Sequence, residues 1–311
     1  MQLKVCLKTI FMLGTGMPKI PISKTQVIAS PIEKVFEVLR DVQSCPSWSP
    51  WLIVDPDCKL DVKNDYYSWE GAICGLGRME LVEEEANESI TYNLSFLIPW
   101  KSQANIRISL EVKGDATEVT WTIEHSLSFF LFWKKKSIRE HLEADYDRGL
   151  LMLKDLIETS LVPSNLEFLG REPSPSFVGV GIKRAGSMNG FEKDIGTSYQ
   201  EVKDHYPEGQ VFSVYYTWDL VKKEVAYFIG VRLDKTPGVI PDGMELINVP
   251  GMEVYALRHR GPYRHLSNGW SAGRMQGRAK TFRQSKRFPP FEIYEDENWE
   301  EPVVKICLPM K

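Results

Sequence analysis

FVGVGIKRAG (177–186) and MEVYALRHRG (252–261) decide the reading of this chain, because each opens a stretch with the same order of features. Both are strand-like runs that end at a glycine, Gly186 and Gly261. Both lead into helical stretches, DIGTSYQEVKDHY (194–206) and YRHLSNGWSAGRMQGRAKTFRQS (263–285). Both then enter a hairpin, VFSVYYTWDLVKKEVAYFIGVRL (211–233) and PFEIYEDENWEEPVVKICLPM (290–310). Phe212 with Phe291, Val214 with Ile293 and Tyr215 with Tyr294 keep one register, with a two-residue slip across the turn. Self-similarity of this kind marks a repeated unit, here strand–helix–strand–strand.

The two-residue period of a strand sends Phe291 and Ile293 to one face and Glu292 and Tyr294 to the other. The repeat puts Ser213 and Tyr215 on the matching face of the first unit. A cleft along the axis relating the units is a common ligand position. Its expected lining is Glu292, Tyr294, Tyr215, Ser213, Trp270, Tyr263 and Tyr227. A carboxylate partly desolvated among aromatics has a raised pKa unless a cation compensates. A planar cationic ligand supplies that charge, and each cation–π contact contributes about 0.5–2 kcal/mol. The plainer reading is an exposed strand glutamate with no role.

Catalysis is the rival. A lone pocket carboxylate can act as general base on water, making Glu292 the catalytic residue of a cofactor-free hydrolase. No partner acid or nucleophile accompanies it: Ser213 has no neighbouring histidine, and His259 and His265 read as surface residues. Binding is therefore preferred to an enzyme activity. Neither a cofactor nor a metal is expected. The five cysteines (Cys6, Cys45, Cys58, Cys74 and Cys307) show no CxxC spacing and read as reduced, buried thiols.

The remaining sequence has a different texture. Residues 20–30 alternate like a half-buried strand, and Ser30, Pro31 and Glu33 resemble a capping box before the stripe Ile32, Val35, Phe36 and Leu39. YYSWEGAI, GRMELVEEE, SITYNLSFLI, QANIRISLEVKG and TEVTWTIEHS read as consecutive antiparallel strands within about six over 52–125. A long helix follows over roughly 135–160, carried by Ile138, Leu142, Tyr146, Leu150, Leu153 and Ile157. A curved antiparallel sheet gripping a long C-terminal helix satisfies that order. Trp48, Trp51, Trp69, Trp100 and Trp121 read as core rather than cavity walls. Glu70 and Glu80 face inward only if their strand parity allows it.

The fold class expected is therefore α+β. Residues 1–19 read as a loosely ordered extension, with Met17 an alternative start. A helix-grip domain over 20–160 and a linker over 161–176 precede the duplicated domain over 177–311. Two domains suit a chain of 311 residues, 43% hydrophobic and 26% charged. The net charge of −4 gives no global attraction to nucleic acid. Nine Lys/Arg and no Asp/Glu lie between Arg258 and Arg287, but the acidic hairpin at 295–301 can neutralise them, so no direct nucleic-acid binding is expected. No apolar run approaches the roughly 20 residues of a membrane span, and a cytoplasmic protein is expected. Gly269, Gly273 and Gly277 recur every four residues on one helix. That spacing implies close approach to the sheet, with a homodimer contact left open.

Two family resemblances sharpen these expectations. PDGMELINVPGMEVYALRHRGPY (241–263), the helix around Trp270, PPFEIY (289–294) and VVKICLP resemble the GyrI-like small-molecule-binding domain of AraC- and MerR-type regulators. That resemblance implies an aromatic-lined cleft with its pocket glutamate at Glu292. VIASPIEKVFEVLRDVQSCPSWSPW, YSWEG, ITYNLSFLIPWKS and TEVTWTIE resemble the polyketide-cyclase/START-related (SRPBCC) superfamily. It implies a helix-grip fold with an internal apolar cavity, and a cyclase-like activity there is the second enzymatic alternative. No helix-turn-helix accompanies either half. The expected protein senses, carries or sequesters a hydrophobic or cationic amphiphilic molecule.

Overall fold

The structure is a computed structural model that describes residues 19–98, 102–126, 133–162, 164–233, 238–298 and 301–311. Cys6, Trp100 and all but the last residue of the expected 1–19 extension lie outside the described residues. The chain begins with β1 (Lys19–Ile28), α1 (Ile32–Arg40) and α2 (Cys45–Trp48). Six strands follow: β2 (Lys59–Val62), β3 (Tyr66–Gly71), β4 (Gly75–Glu85), β5 (Ser89–Ile98), β6 (Ser102–Lys113) and β7 (Ala116–Ser126). The long helix α3 (Lys135–Thr159) closes the first half. Its order is β1-β7-β6-β5-β4-β3-β2, all antiparallel, as expected for an α+β sheet that grips a helix.

The alternating residues of β6 and β7 explain the grip. Ile106, Ile108, Val119, Trp121 and Ile123 are buried together with Tyr146, Leu150, Leu153 and Ile157 of α3. Each such side chain taken fully from water contributes about 1.5–3 kcal/mol. Trp121 meets Trp48, Trp51 and Tyr146 edge-on at 5.4, 6.0 and 4.9 Å, so these aromatics serve as core. Glu70 is exposed and Glu80 half-buried beside Arg78, so neither is an inward-facing polar group. The capping box does not form. Pro31 is the N-cap, no side chain caps the helix, and the buried Ser30 instead uses its carbonyl to accept from Thr117 Oγ1 at 2.8 Å.

The second half contains β8 (Asn165–Ser174), β9 (Phe177–Ser187), α4 (Phe191–His205), β10 (Val211–Asp219), β11 (Glu224–Leu233), β12 (Glu245–Val249) and β13 (Met252–Arg260). A 3-10 turn (Tyr263–His265) runs into α5 (Leu266–Arg278), and β14 (Phe291–Asp296) and β15 (Val303–Pro309) end the chain. Its eight-stranded sheet runs β12-β9-β11-β10-β14-β15-β13-β8. From either side toward the β10–β14 seam, the inner three strands follow the same pattern of connections.

Two expectations change here. Residues 165–174 of the expected linker form β8, which pairs with β13 from Met252↔Ser174 to Arg260↔Asn165. The prolines misled because an edge strand tolerates proline where its N–H faces outward. The helix expected over 263–285 ends at Arg278, where Lys280 turns left-handed (φ 66°). Phe282 then folds back to stack on Tyr255 at 4.6 Å.

Two of the α5 glycines, Gly269 and Gly273, lie close against the sheet. A Cβ on Gly269 would sit 2.6 Å from Ile306 Cδ1, and one on Gly273 2.5 Å from Leu308 Cδ1. The other side of α5 and its preceding turn meet α3. Asp155 Oδ2 accepts from His265 Nε2 at 2.6 Å and Arg264 Nε at 2.7 Å, and Arg148 Nη1 donates to Asn268 Oδ1 at 3.1 Å. Gln276 Nε2 donates to the Val54 carbonyl at 3.2 Å. Asp155, His265, Asn268 and Gln276 are all buried, so the halves meet through a paired polar layer.

Gly181 of β9 sets how closely the first strands pack. A Cβ there would lie 2.1 Å from the Ile229 carbonyl oxygen and 2.4 Å from Gly230 Cα, both backbone atoms that cannot turn aside. Gly181→Ala is expected to destabilise the protein by about 1–3 kcal/mol. The urea midpoint reads this, and an unchanged midpoint would contradict the packing described.

Candidate functional site

Antiparallel pairing builds the site at the β10–β14 seam. Its register is Phe212↔Ile293, Ser213↔Glu292 and Val214↔Phe291, so Ser213 and Glu292 are directly opposite at its centre. Phe212, Val214, Phe291 and Ile293 point to the other face, into a core shared with Phe228 and Val254. Strand alternation thus forces Glu292 toward the side covered by α4 and α5. The glutamate is fully buried.

Four neutral donors hold its carboxylate. Trp270 Nε1 donates to Oε1, while Ser213 Oγ (2.9 Å), Tyr215 OH (3.0 Å) and Tyr294 OH (3.3 Å) converge on Oε2. No cationic side chain among the described residues pairs with it. Burial raises the Glu292 pKa, and the four hydrogen bonds oppose that rise. Burial also lifts the Tyr215 and Tyr294 hydroxyls well above their usual range, with the Glu292 charge adding to it. Both tyrosines therefore remain protonated donors.

Aromatic rings extend outward from this centre. Tyr215 meets Trp270 at 5.2 Å and Trp218 at 5.9 Å, and Tyr263 lies 5.8 Å from Tyr294. Phe191 of α4 packs on Trp218 at 5.2 Å and on Tyr227 at 5.4 Å. The expected residues Glu292, Ser213, Tyr215, Tyr294 and Trp270 are in direct contact, and Tyr263 is one ring removed. Tyr227 is not with them. It lines a separate pocket of about 310 Å³ under α4, and its hydroxyl lies 3.4 Å from Ser198 Oγ. The cleft expected around Glu292 is occupied by the Trp270 indole, which lies on the carboxylate.

Phe191 and Trp218 escaped the sequence reading. A bulge between Tyr215 and Thr217 shifts the register, so Trp218, opposite Val225, shares the face of Tyr215. Simple alternation assigns that place to Thr217. His259 and His265 are not the surface residues expected: both are buried, His259 under α5 and His265 against Asp155 of α3. His259 has no hydrogen-bond partner on either ring nitrogen among the described residues, and burial lowers its pKa to about 3.

Residues 19–158 match a family described as polyketide cyclase / dehydrase and lipid transport. The likeness read from the sequence over 20–160 is thus met in the first half. No curated protein matches the chain. Among solved structures, the C-terminal domain of EcmrR is 17% identical, with 48% of this chain and 98% of that chain covered and a TM-score of 0.37. The Aha1 dimer from Colwellia psychrerythraea is 18% identical, with 45% and 97% covered and a TM-score of 0.34. CalU16 from Micromonospora echinospora is 14% identical, with 44% and 73% covered and a TM-score of 0.31. Scores this low carry neither fold nor function from those proteins to this one.

The buried histidines give the protein an acid limit. His259 (about 3) and His125 (about 4) are lowered by burial from an ordinary 6.5. Unfolded chains therefore take up these protons first as pH falls. The stability is present above 6.5 and is lost toward the folded values, by roughly 1.4 kcal/mol per pH unit per histidine. Urea midpoints between neutral pH and pH about 5 should fall, and His259→Leu should flatten that slope. An equal slope in the variant would exclude His259 as a source.

Proposed function

We propose that the chain binds a hydrophobic or cationic amphiphilic small molecule in the aromatic site of its second half, with Glu292 as the counter-charge. The observation that carries this reading is a fully buried carboxylate held by neutral donors, without a cation. Neutral hydrogen bonds offset only part of the desolvation of such a charge. A ligand cation offsets more of it, and the surrounding π-faces of Tyr215, Tyr294 and Trp270 favour the same charge. In this reading the Trp270 indole holds the place the ligand takes, and it turns off Oε1 when the ligand enters.

The same reading includes a GyrI-like organisation made of two strand–helix–strand–strand units, β9-α4-β10-β11 and β13-α5-β14-β15. The mirrored strand order and the central Ser213↔Glu292 pairing support it. A helix-grip domain over 20–160 then precedes it, with β8 as an added edge strand where a linker was expected. The family match of the first half, whose description includes lipid transport, is in keeping with apolar small-molecule binding. Hydrolysis with Glu292 as general base remains the alternative. Its raised pKa favours a base, but both carboxylate oxygens are already occupied by donors.

Glu292→Gln should weaken a cationic dye such as rhodamine 6G by about tenfold and leave a neutral dye of similar shape nearly unchanged. Fluorescence titration reads both. Equal losses, or none, would exclude the anchor role.

The pH dependence follows from the raised Glu292 pKa. The ligand-free carboxyl keeps its proton to a higher pH than an ordinary glutamate, whereas a bound cation requires it ionised. Dye affinity should therefore rise with pH from about 4.5 until the raised pKa is passed, with proton release on binding. Calorimetry in buffers of different ionisation enthalpy measures that proton. Its persistence in Glu292→Gln would assign it elsewhere.

A further inference from the structure

A second concave site lies where the two halves meet, and its chemistry is opposite to that of Glu292. A pocket of about 560 Å³ opens between the first turns of α3, the β10–β11 turn and α5. Ser137 and His141 of α3, Tyr216, Trp218 and Lys222 of the hairpin, and Arg274 of α5 are among its lining residues. The volume lies within the ordinary range for small-molecule sites, roughly 300–1,000 Å³.

Arg274 is the unusual member. Its side chain is exposed to solvent, yet protein surrounds it enough for desolvation to lower its pKa, and the charges of Arg148 and Arg278 lower it further. Asp145 opposes that shift, but its carboxylate is engaged by Arg148 at 2.6 Å. Arg274 itself makes no ion pair or hydrogen bond among the described residues. The Lys222 ammonium makes no ion pair or hydrogen bond among the described residues, although its charge helps to lower the Asp219 pKa. Asp219, the pocket's acidic member, accepts from the Val221 and Lys222 backbone N–H groups at 2.9 and 3.0 Å, so its Oδ1 is committed to the turn. A guanidinium crowded by two like charges and facing a concave space is stabilised by an oxyanion, which it can hold with two parallel hydrogen bonds.

The pocket also has an apolar wall. Tyr216 and Trp218 are 39% and 45% exposed, unusually open for large aromatics in this chain. The Trp218 ring offers stacking area beside the two cations, while the Lys183 ammonium lies over the Tyr216 ring at 4.8 Å.

We propose that this pocket binds a small molecule with a planar apolar body and an oxyanion head, with Arg274 and Lys222 holding the head and Trp218 the body. The site adjoins that of Glu292: Trp218 packs on Tyr215, whose hydroxyl donates to Glu292. Because α3 belongs to the first half and Arg274 to the second, the ligand also bridges the halves.

The test uses the full chain with 2-naphthoate and its uncharged twin, 2-naphthamide, followed by calorimetry. Wild type should prefer the naphthoate by about tenfold or more, and rising salt should erode that preference. Arg274→Gln should abolish the preference, Arg274→Lys should keep part of it, and Trp218→Ala should weaken both probes alike. Arg274 has no partner to lose, so thermal melts of its variants should match wild type. Should Arg274→Gln nevertheless fail to fold, the salt dependence and Lys222→Gln decide. Glu292→Gln should leave the preference intact, which keeps this site distinguishable from the cationic one. Equal affinities for the two probes, no naphthoate binding at millimolar concentration, or a preference that survives Arg274→Gln would overturn the proposal. Loss of the preference in Glu292→Gln would also overturn it, by assigning the anion's effect to the inner site.

Discussion

A carboxylate taken out of water at the centre of a sheet constrains everything around it. Glu292 stands opposite Ser213 where β10 meets β14, and alternation gives it no route to solvent. An unsatisfied ionised group there would be far costlier than the few kcal/mol by which a domain is stable. The surrounding residues follow from that constraint. Ser213 is small enough to sit beside the carboxylate and still carries a hydroxyl, Tyr215 and Tyr294 reach the same oxygen from neighbouring strands, and Trp270 closes from above. The first unit has Ser213 and no second acid at the matching place. Two carboxylates paired across the seam would repel each other and force one to keep its proton.

Charge is distributed in layers outward from this centre. The buried carboxylate lies innermost, then a shell of neutral hydroxyls and rings. Arg274 and Lys222, cations without an ion pair among the described residues, stand at the boundary with the first half. The acidic hairpin neutralises other members of the same basic segment, as in Arg258 with Glu295. Arg264 is taken by Asp155. Arg274, like Arg260, Arg283 and Arg287, makes no ion pair among the described residues, but of these four it alone lines the pocket between the halves.

Much of this was legible because burial imposes a period. The two-residue alternation of β6, β7, β10 and β14 and the helical stripe of α3 each follow from one dry face. The site centre was readable for the same reason: Glu292, Tyr294, Ser213 and Tyr215 share a parity. What escaped depends on departures from period or on contacts across the halves. The bulge at Tyr216 moved Trp218 onto the site face. An outer strand formed in a stretch whose prolines suggested a linker. His265 looked like a surface residue until α3 supplied Asp155, 110 positions away. No local pattern encodes a partner so remote in the chain.

The glycines of α5 connect the site to the interface. Trp270 reaches Glu292 with the helix axis close to β15 and β13, and glycine at 269 and 273 leaves room there for the ends of the Ile306 and Leu308 side chains. Each glycine costs up to about 1 kcal/mol in helix propensity. The opposite side of the same helix offsets this through Asn268 and Gln276, which bond to the first half, and the preceding turn contributes His265 on Asp155. The helix that covers the carboxylate is thus held in place by the half of the chain that contains none of the site. The placement of Trp270 therefore depends on both halves being folded, and a displacement of α5 at the carboxylate is felt at α3.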